Sequence, residues 1–302
     1  MAEVSSSNAG RWVLPDALRS AADTAEELLL RMRSEGSPVN RDLFLTHLEY
    51  VYSTHDWLVS NQVNTANFYS TVRDDGSRVW QPERVAVHEE LFQHYLELWS
   101  DVPADRTALF SGGLPGAGKT TLLHDRMNGQ PFAFLSPDEL RGWLAGKGYL
   151  PHLDGFTPME VSASAYHEVV YLTNVLQRKV TQLGLNAVYD TTLGYKAPSL
   201  EKIEGFLEAG YSVSAVFVDV DVDTALRRCE TRHLTGFELW VDGVGEGGRL
   251  MPRSALLKQR STRHGVLSEA RTVFDELVHE GWFSSHQVYQ NMVDGQHPVL
   301  SV

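Results

Sequence analysis

The chain has 302 residues, with 26 lysines and arginines against 39 aspartates and glutamates, a formal net charge of −13. That length suits one large α/β domain, or a catalytic domain carrying a smaller accessory one. The acidic surplus argues against nucleic acid as the main substrate, because backbone binding draws on clustered Lys and Arg.

Cys229 is the sole cysteine, so there is no disulfide framework and no CxxC metal knuckle, and a reducing cytoplasm fits. Residues 1–10 lack the basic flank and apolar core of an export signal. No run approaches the roughly 18 apolar residues that span a bilayer, so a soluble cytoplasmic protein without membrane contact is expected.

Residues 15–34 open on Pro15-Asp16 and place Leu18, Ala21, Ala22, Ala25, Leu28, Leu29 and Met32 at three- and four-residue steps, the pattern of an amphipathic helix. A second helix follows Ser37-Pro38-Val39-Asn40, with Leu43, Phe44, Leu48, Val51 and Tyr52 on its apolar side. A third runs from about Pro82 to Trp99. Residues 60–81 between them are rich in Asn, Ser, Asp and Gly and read as a long loop. Residues 1–104, with 8 basic and 16 acidic side chains, are thus expected to form a small acidic all-α unit, joined through Asp101-Val-Pro-Ala-Asp105 to a second domain over 105–302.

From residue 107 apolar strands alternate with helices. The strands are expected at 107–112, 132–135, 185–190, 213–219 and 286–291, and helices after Gly118, Ser136, Pro158, Pro198, Asp221 and Pro252. This alternation predicts an α/β fold with a mainly parallel sheet flanked by helices. In such folds functional groups gather at the carboxyl ends of the strands.

The first of those strand ends carries Gly113-Leu114-Pro115-Gly116-Ala117-Gly118-Lys119-Thr120, a full GxxxxGK[ST] phosphate loop. Its glycines let backbone N–H groups turn onto a phosphate, Lys119 reaches the β and γ oxygens, and the Thr120 hydroxyl can ligate Mg²⁺. With Thr121 these residues form the expected nucleotide site, with ATP and Mg²⁺ as cofactors; the motif itself does not separate ATP from GTP.

After the second strand Ser136-Pro-Asp138-Glu139 supplies a carboxylate where a kinase needs a base for its acceptor hydroxyl. The same residues also read as a helix start, with Ser136 as N-cap, Pro137 at N1 and Glu139 closing a capping box. After the third, Asp190-Thr191-Thr192 offers an acid and two hydroxyls for Mg²⁺ or acceptor, or else a cap for the next segment. Tyr195 and Lys196 lie close enough in sequence to line the same pocket.

Asp221 to His233 reads as a helix that dissolves into a mobile lid containing Gly236, Gly243, Gly245, Gly247 and Gly248. Arg227 has Asp223 one turn earlier as an ion-pair partner. Arg228 and Arg232 have no acid at that spacing, so ATP phosphates would compensate them, with Arg249 and Arg253 closing from the lid's far end. The alternative is solvated arginines with distant partners. The twelve histidines, His88 and His94 included, show no metal-ligand spacing and read as ordinary surface or core side chains.

Over residues 106–265 these features together resemble the zeta-toxin family of P-loop kinases, which phosphorylate UDP-N-acetylglucosamine on a sugar hydroxyl. The resemblance implies Asp138 as base, Asp190 and Thr192 as acceptor ligands, and Arg228 and Arg249 as the arginines serving the phosphates. Asp190 stands where the family usually has the longer Glu, and Cys229 where an aromatic is common. Because zeta toxins are held inactive by a small three-helix antitoxin, the resemblance also implies possible inhibition in cis by residues 1–104. A packing or substrate-shaping extension is the other reading of that region.

The expected activity is therefore ATP- and Mg²⁺-dependent phosphoryl transfer to an alcohol group, first of all on a nucleotide sugar. A kinase acting on an antibiotic, a nucleoside or another nucleotide-like metabolite is the nearest alternative. A nucleotide-gated binding module is the alternative of another class.

Overall fold

A computed structural model describes residues 12, 16–127, 129–263 and 265–301; the export-signal reading of residues 1–10 and the helix-opening Pro15 lie outside them. In chain order the elements are α1 (Asp16–Glu35), α2 (Arg41–Ser60), α3 (Thr65–Tyr69), β1 (Ser70–Val72), β2 (Arg78–Trp80), α4 (Pro82–Leu98) and β3 (Thr107–Gly112). Next come α5 (Lys119–Met127), β4 (Ala133–Leu135), α6 (Pro137–Gly146), α7 (Pro158–Val161), α8 (Tyr166–Leu183), β5 (Ala187–Asp190) and α9 (Lys196–Glu208). The chain ends with β6 (Ser212–Asp219), α10 (Val222–Val241), α11 (Arg253–Leu257), α12 (Glu269–His279), β7 (Ser285–Gln290) and β8 (Val299–Leu300). Among the described residues no helix is long and apolar enough to cross a membrane.

These elements form two compact units: residues 1–91, 138–172 and 230–250 in one, and residues 92–137, 173–229 and 251–302 in the other. The second unit holds a six-stranded sheet in the order β4-β5-β3-β6-β7-β8, parallel except where β8 returns against β7. Its central strands are buried on both faces, so they read as continuous apolar runs, with Ala108, Phe110, Val188, Tyr189, Val216 and Phe217 all at 2% exposure or less. Phe110 and Tyr189 stack at 5.2 Å across β3 and β5, and Phe206 of α9 meets Phe110 edge-on at 5.7 Å. Burial of each such side chain contributes roughly 1.5–3 kcal/mol. The parallel register places Ser111 beside Asp190 and Gly112 beside Phe217, bringing the phosphate loop to the ends of β5 and β6.

The other unit contains α1 to α3, the β1-β2 hairpin, α7 and most of α6, with the flanking parts of α4, α8 and α10. Helix α2 begins where its sequence predicts: the Asn40 side chain accepts hydrogen bonds from the N–H groups of Asp42 and Leu43 at 3.0 and 3.3 Å.

Two expectations need correction. Residues 60–81 are not a loop throughout, because Asn64 caps α3 with a 2.9 Å bond from Asn67 N–H, and Ser70 then pairs with Trp80 to open the hairpin. Strands of three residues are too short for their alternation to register in sequence. Helix α10 runs through Gly236 to Val241 instead of ending near His233. A Cβ on Gly236 would lie 3.0 Å from the Gly247 carbonyl oxygen, so this glycine allows a close approach and does not break the helix.

Candidate functional site

The phosphate loop begins with a glycine the fold requires. Gly113 has φ of 121°, and a Cβ there would lie 2.2 Å from the carbonyl oxygen of Val218 on β6. Leu114 and Ala117 are buried, and Ala117 N–H donates to Leu114 O at 3.1 Å. Gly113 N–H is taken by the carbonyl of Thr192 at 3.0 Å. The N–H groups of Gly116 and Gly118 donate to no protein acceptor among the described residues, leaving them for an anion at the start of α5. Lys119 Nζ lies back on the loop, donating to the carbonyls of Gly113 at 3.0 Å and Leu114 at 3.2 Å. Pro115 is half-buried, and Thr120 and Thr121 are exposed in the first turn of α5.

Beside the loop, Ser111 Oγ donates to Asp190 Oδ1 at 2.7 Å, which orients the half-buried carboxylate. Thr191 N–H returns to Ser111 O at 3.2 Å, and Leu193, fully buried with φ of 50°, locks the turn that follows. Thr192 serves this turn: its Oγ1 accepts Gly194 N–H at 3.2 Å while its carbonyl anchors Gly113. Tyr195 is 60% exposed. Lys196 turns to α12, bonding Glu280 at 2.5 Å and Glu276 at 3.5 Å, and so departs from the pocket-lining reading.

Arg228 sits against the loop. Its Nη1 donates to Gly116 O at 3.3 Å and to Asn291 O at 3.0 Å, while Nε bonds Asp294 Oδ1 at 2.7 Å. That bond holds the Asp294 carboxyl below its ordinary range. Asn291 completes the support, its Nδ2 donating to Ala117 O at 2.8 Å. Neither Asn291 nor Asp294 stood out in the sequence; the one available signal was position, just past the carboxyl end of β7. A cleft of about 170 Å³ opens there, lined by Asn291, Met292, Val293 and Gln296 among others. Cys229 Sγ would lie 3.3 Å from a Cβ on Gly116, so a small side chain lets α10 approach the loop. Arg227 does not take Asp223: it bonds Thr224 and pairs with Asp294 at 3.5 Å, and Asp223 goes to Arg260 at 2.5 Å.

In the other unit Asp138, in the first turn of α6, accepts hydrogen bonds from Arg249 Nη1 and, at 3.4 Å, from Arg141 Nη1. The two sequence-predicted residues Asp138 and Arg249 thus form an ion pair with each other. The glycine-rich segment carrying Arg249 is packed, contrary to the free-lid expectation. Met159 N–H donates to Glu246 O at 2.8 Å, and a Cβ on Gly248 would lie 2.0 Å from His233 O. Its glycines mark places of close approach. Arg232 is exposed and makes no hydrogen bond or ion pair among the described residues, whereas Arg253 opens α11.

The same unit contains two buried carboxylates that sequence reading missed. Glu160 Oε1 receives His47 Nε2 at 3.0 Å and His233 Nε2 at 2.8 Å, all three side chains at 2% exposure or less. Burial alone would raise the Glu160 carboxyl, but the charges and hydrogen bonds of the two rings outweigh it and hold it well below the usual range. Glu168 receives Arg84 through Nε at 2.5 Å and Nη2 at 2.9 Å, and His88 at 2.6 Å. The ordinary-histidine reading of His88 thus becomes specific: it is a core side chain on a carboxylate. Among the described residues no group of three or more His, Cys, Asp or Glu is arranged to hold a metal ion.

Residues 109–242 match the AAA domain family. The fold is similar to a chain of the PezAT chromosomal toxin-antitoxin system of Streptococcus pneumoniae, at 14% identity and TM-score 0.50, covering 68% of this chain and 76% of that one. It is also similar to the AvrRxo1-ORF1:AvrRxo1-ORF2 complex crystallised with sulphate ions, at 17% identity and TM-score 0.51, covering 73% of this chain and 67% of that one. No curated protein sequence matches the chain. The fold is therefore of the P-loop NTPase type, with the architecture of these two structures.

Proposed function

We propose that this chain, a P-loop protein whose residues 109–242 match the AAA domain family, is an ATP- and Mg²⁺-dependent small-molecule kinase of zeta-toxin type. Its acceptor is a sugar hydroxyl, first of all on UDP-N-acetylglucosamine. The observation that carries this reading is the complete phosphate loop with Arg228 braced against its Gly116 carbonyl by Asp294 and Asn291. A nucleotide switch has little use for a braced arginine, whereas a phosphoryl-transfer enzyme needs a fixed cation for the charge that develops.

The residues present fit Mg²⁺-ATP. The N–H groups of Gly116 and Gly118 await an anion, and the Thr120 hydroxyl and Asp190 carboxylate are the hard oxygen donors Mg²⁺ takes. Lys119 exchanges the carbonyls of Gly113 and Leu114 for β and γ oxygens, and the cleft at Asn291 and Met292 receives the base. Bound in this way, Mg²⁺-ATP supplies a γ-phosphoryl group whose oxygens are already partly neutralised. Asp138 takes the proton of the acceptor hydroxyl as the new O–P bond forms, and ADP carries away the electrons of the broken bond. Arg228, Arg249 and Arg232 balance the phosphate charge, while Asp190, Thr192 and Tyr195 position the acceptor.

Residues 1–104 are read here as a structural and substrate-shaping part of the enzyme, because Arg84, His88 and His47 are buried partners of Glu168 and Glu160. Inhibition in cis by these helices is the competing reading.

Labelled ATP, Mg²⁺ and a panel of nucleotide sugars, with products identified by mass, test the proposal. Label on UDP-N-acetylglucosamine supports it, and Asp138→Asn should abolish transfer while nucleotide affinity stays within a few-fold. Label confined to antibiotics or nucleosides moves the acceptor, and tight ATP binding with transfer to none of them favours the binding module.

A further inference from the structure

Asp138 shares its carboxylate between two guanidiniums, those of Arg249 and Arg141. Both guanidiniums thus draw on the same carboxylate. Arg141 is the less well served of the pair. Its side chain is only 13% exposed, and among the described residues its ion pair is the 3.4 Å contact with Asp138. Its Nε, like that of Arg249, is buried with no hydrogen-bond partner, so the length of the contact is what sets Arg141 apart.

Among the described residues no second anion pairs with Arg141. The Tyr166 ring lies 5.9 Å from its guanidinium carbon and is itself 55% exposed. His55 of α2 has its basicity lowered by burial, which outweighs the opposing pull of Asp56, with Arg141 adding the smallest contribution. A largely buried cation with an idle N–H and one long ion pair is costly unless another anion joins it. A guanidinium also matches a phosphate in two parallel hydrogen bonds, which are shorter and stronger than a 3.4 Å contact. Meanwhile a carboxylate flanked by two guanidiniums is a poor base, since both favour its ionised form.

Resting on the kinase reading above, we propose that Arg141 binds a phosphate group of the acceptor and, in exchanging Asp138 for that phosphate, frees Asp138 to take the acceptor's proton. The acceptor is then a phosphate-bearing molecule, and the exposed Tyr166 ring offers a face for the group next to that phosphate. Without the acceptor the base stays clamped, which suppresses transfer to water.

The full chain and its Arg141→Gln and Arg141→Lys variants test this in three ways. Transfer of label to UDP-N-acetylglucosamine is compared with transfer to N-acetylglucosamine. Wild type should prefer the phosphate-bearing sugar at least tenfold in kcat/KM, with Arg141→Gln losing most of that preference through KM and Arg141→Lys retaining part of it. Pyrophosphate is then titrated calorimetrically into protein saturated with a non-hydrolysable ATP analogue, and its affinity should fall about tenfold in Arg141→Gln. Idle ATP hydrolysis without acceptor should rise several-fold in Arg141→Gln. Equal use of both sugars by wild type, pyrophosphate affinity indifferent to residue 141, or an unchanged idle rate would each overturn the proposal. Failure of the kinase reading shows itself separately, as no label on either sugar, and the pyrophosphate titration still decides Arg141 in that case.

Discussion

Replacing Arg84 with Met should destabilise the protein by about 3–5 kcal/mol, the cost of leaving a buried charge without its main partner. The structure gives an independent route to that magnitude. Burial would raise the Glu168 carboxyl, but hydrogen bonds from His88 and Arg84, with the Arg84 charge, bring it down from an ordinary 4.5 to about 2. At about 1.4 kcal/mol per pH unit that difference is about 3 kcal/mol of stability at neutral pH. Because the folded-state pKa lies below the unfolded one, this contribution is whole above pH 4.5 and is lost as the pH falls through about 2. Thermal melts at neutral pH and along an acid series measure both parts. Arg84→Met should lower Tm by about 6–20 °C, at roughly 2–4 °C per kcal/mol, and should flatten the acid limb seen in wild type. Adding Glu168→Met should recover part of the loss, since the lone buried charge is then gone. A loss under about 1 kcal/mol, or an acid limb identical to wild type, would refute the reasoning.

Two further perturbations probe the loop and the N-terminal region. Gly113→Ala forces a Cβ to within 2.2 Å of Val218 O at a φ of 121°, so it should cost about 2 kcal/mol or more and weaken ATP binding at least tenfold, measured by melts and nucleotide titration. Deleting residues 1–104 removes Arg84, His88 and His47 together, stranding Glu168 and depriving Glu160 of one of its two rings. At about 3–5 kcal/mol for each stranded charge, against a total stability of about 5–15 kcal/mol, no soluble folded product is expected. A folded truncation with raised ATP turnover would instead establish inhibition in cis.

The strands at 107–112 and 185–190 were legible because a strand buried on both faces is apolar along its length, and the phosphate loop because close backbone packing demands glycine at fixed places. The hairpin at Ser70–Trp80 was not legible. Its three-residue strands carry no measurable period and are set by pairing, Ser70 against Trp80. The reach of α10 through Gly236 was hidden for a different reason: glycine usually signals a break, and here it answers the approach of Gly247 from eleven residues further on.

Partner choice among the charged side chains divided in the same way. One-turn spacing assigned Asp223 to Arg227, yet Asp223 bonds Arg260, and Asp294 draws Arg227 and Arg228 from more than sixty residues away. The sequence by itself determined the alternation of strands and helices, the phosphate loop and the chemical types at the strand ends, since these follow from local backbone geometry and apolar period. Only the tertiary structure decided that Arg228 is braced on the loop by Asn291 and Asp294, that Asp138 is held by Arg249 and Arg141, and that Glu160 and Glu168 are enclosed by histidine and arginine. Such choices depend on which charges the packed core deprives of water, and that is settled by groups distant in sequence and near in space.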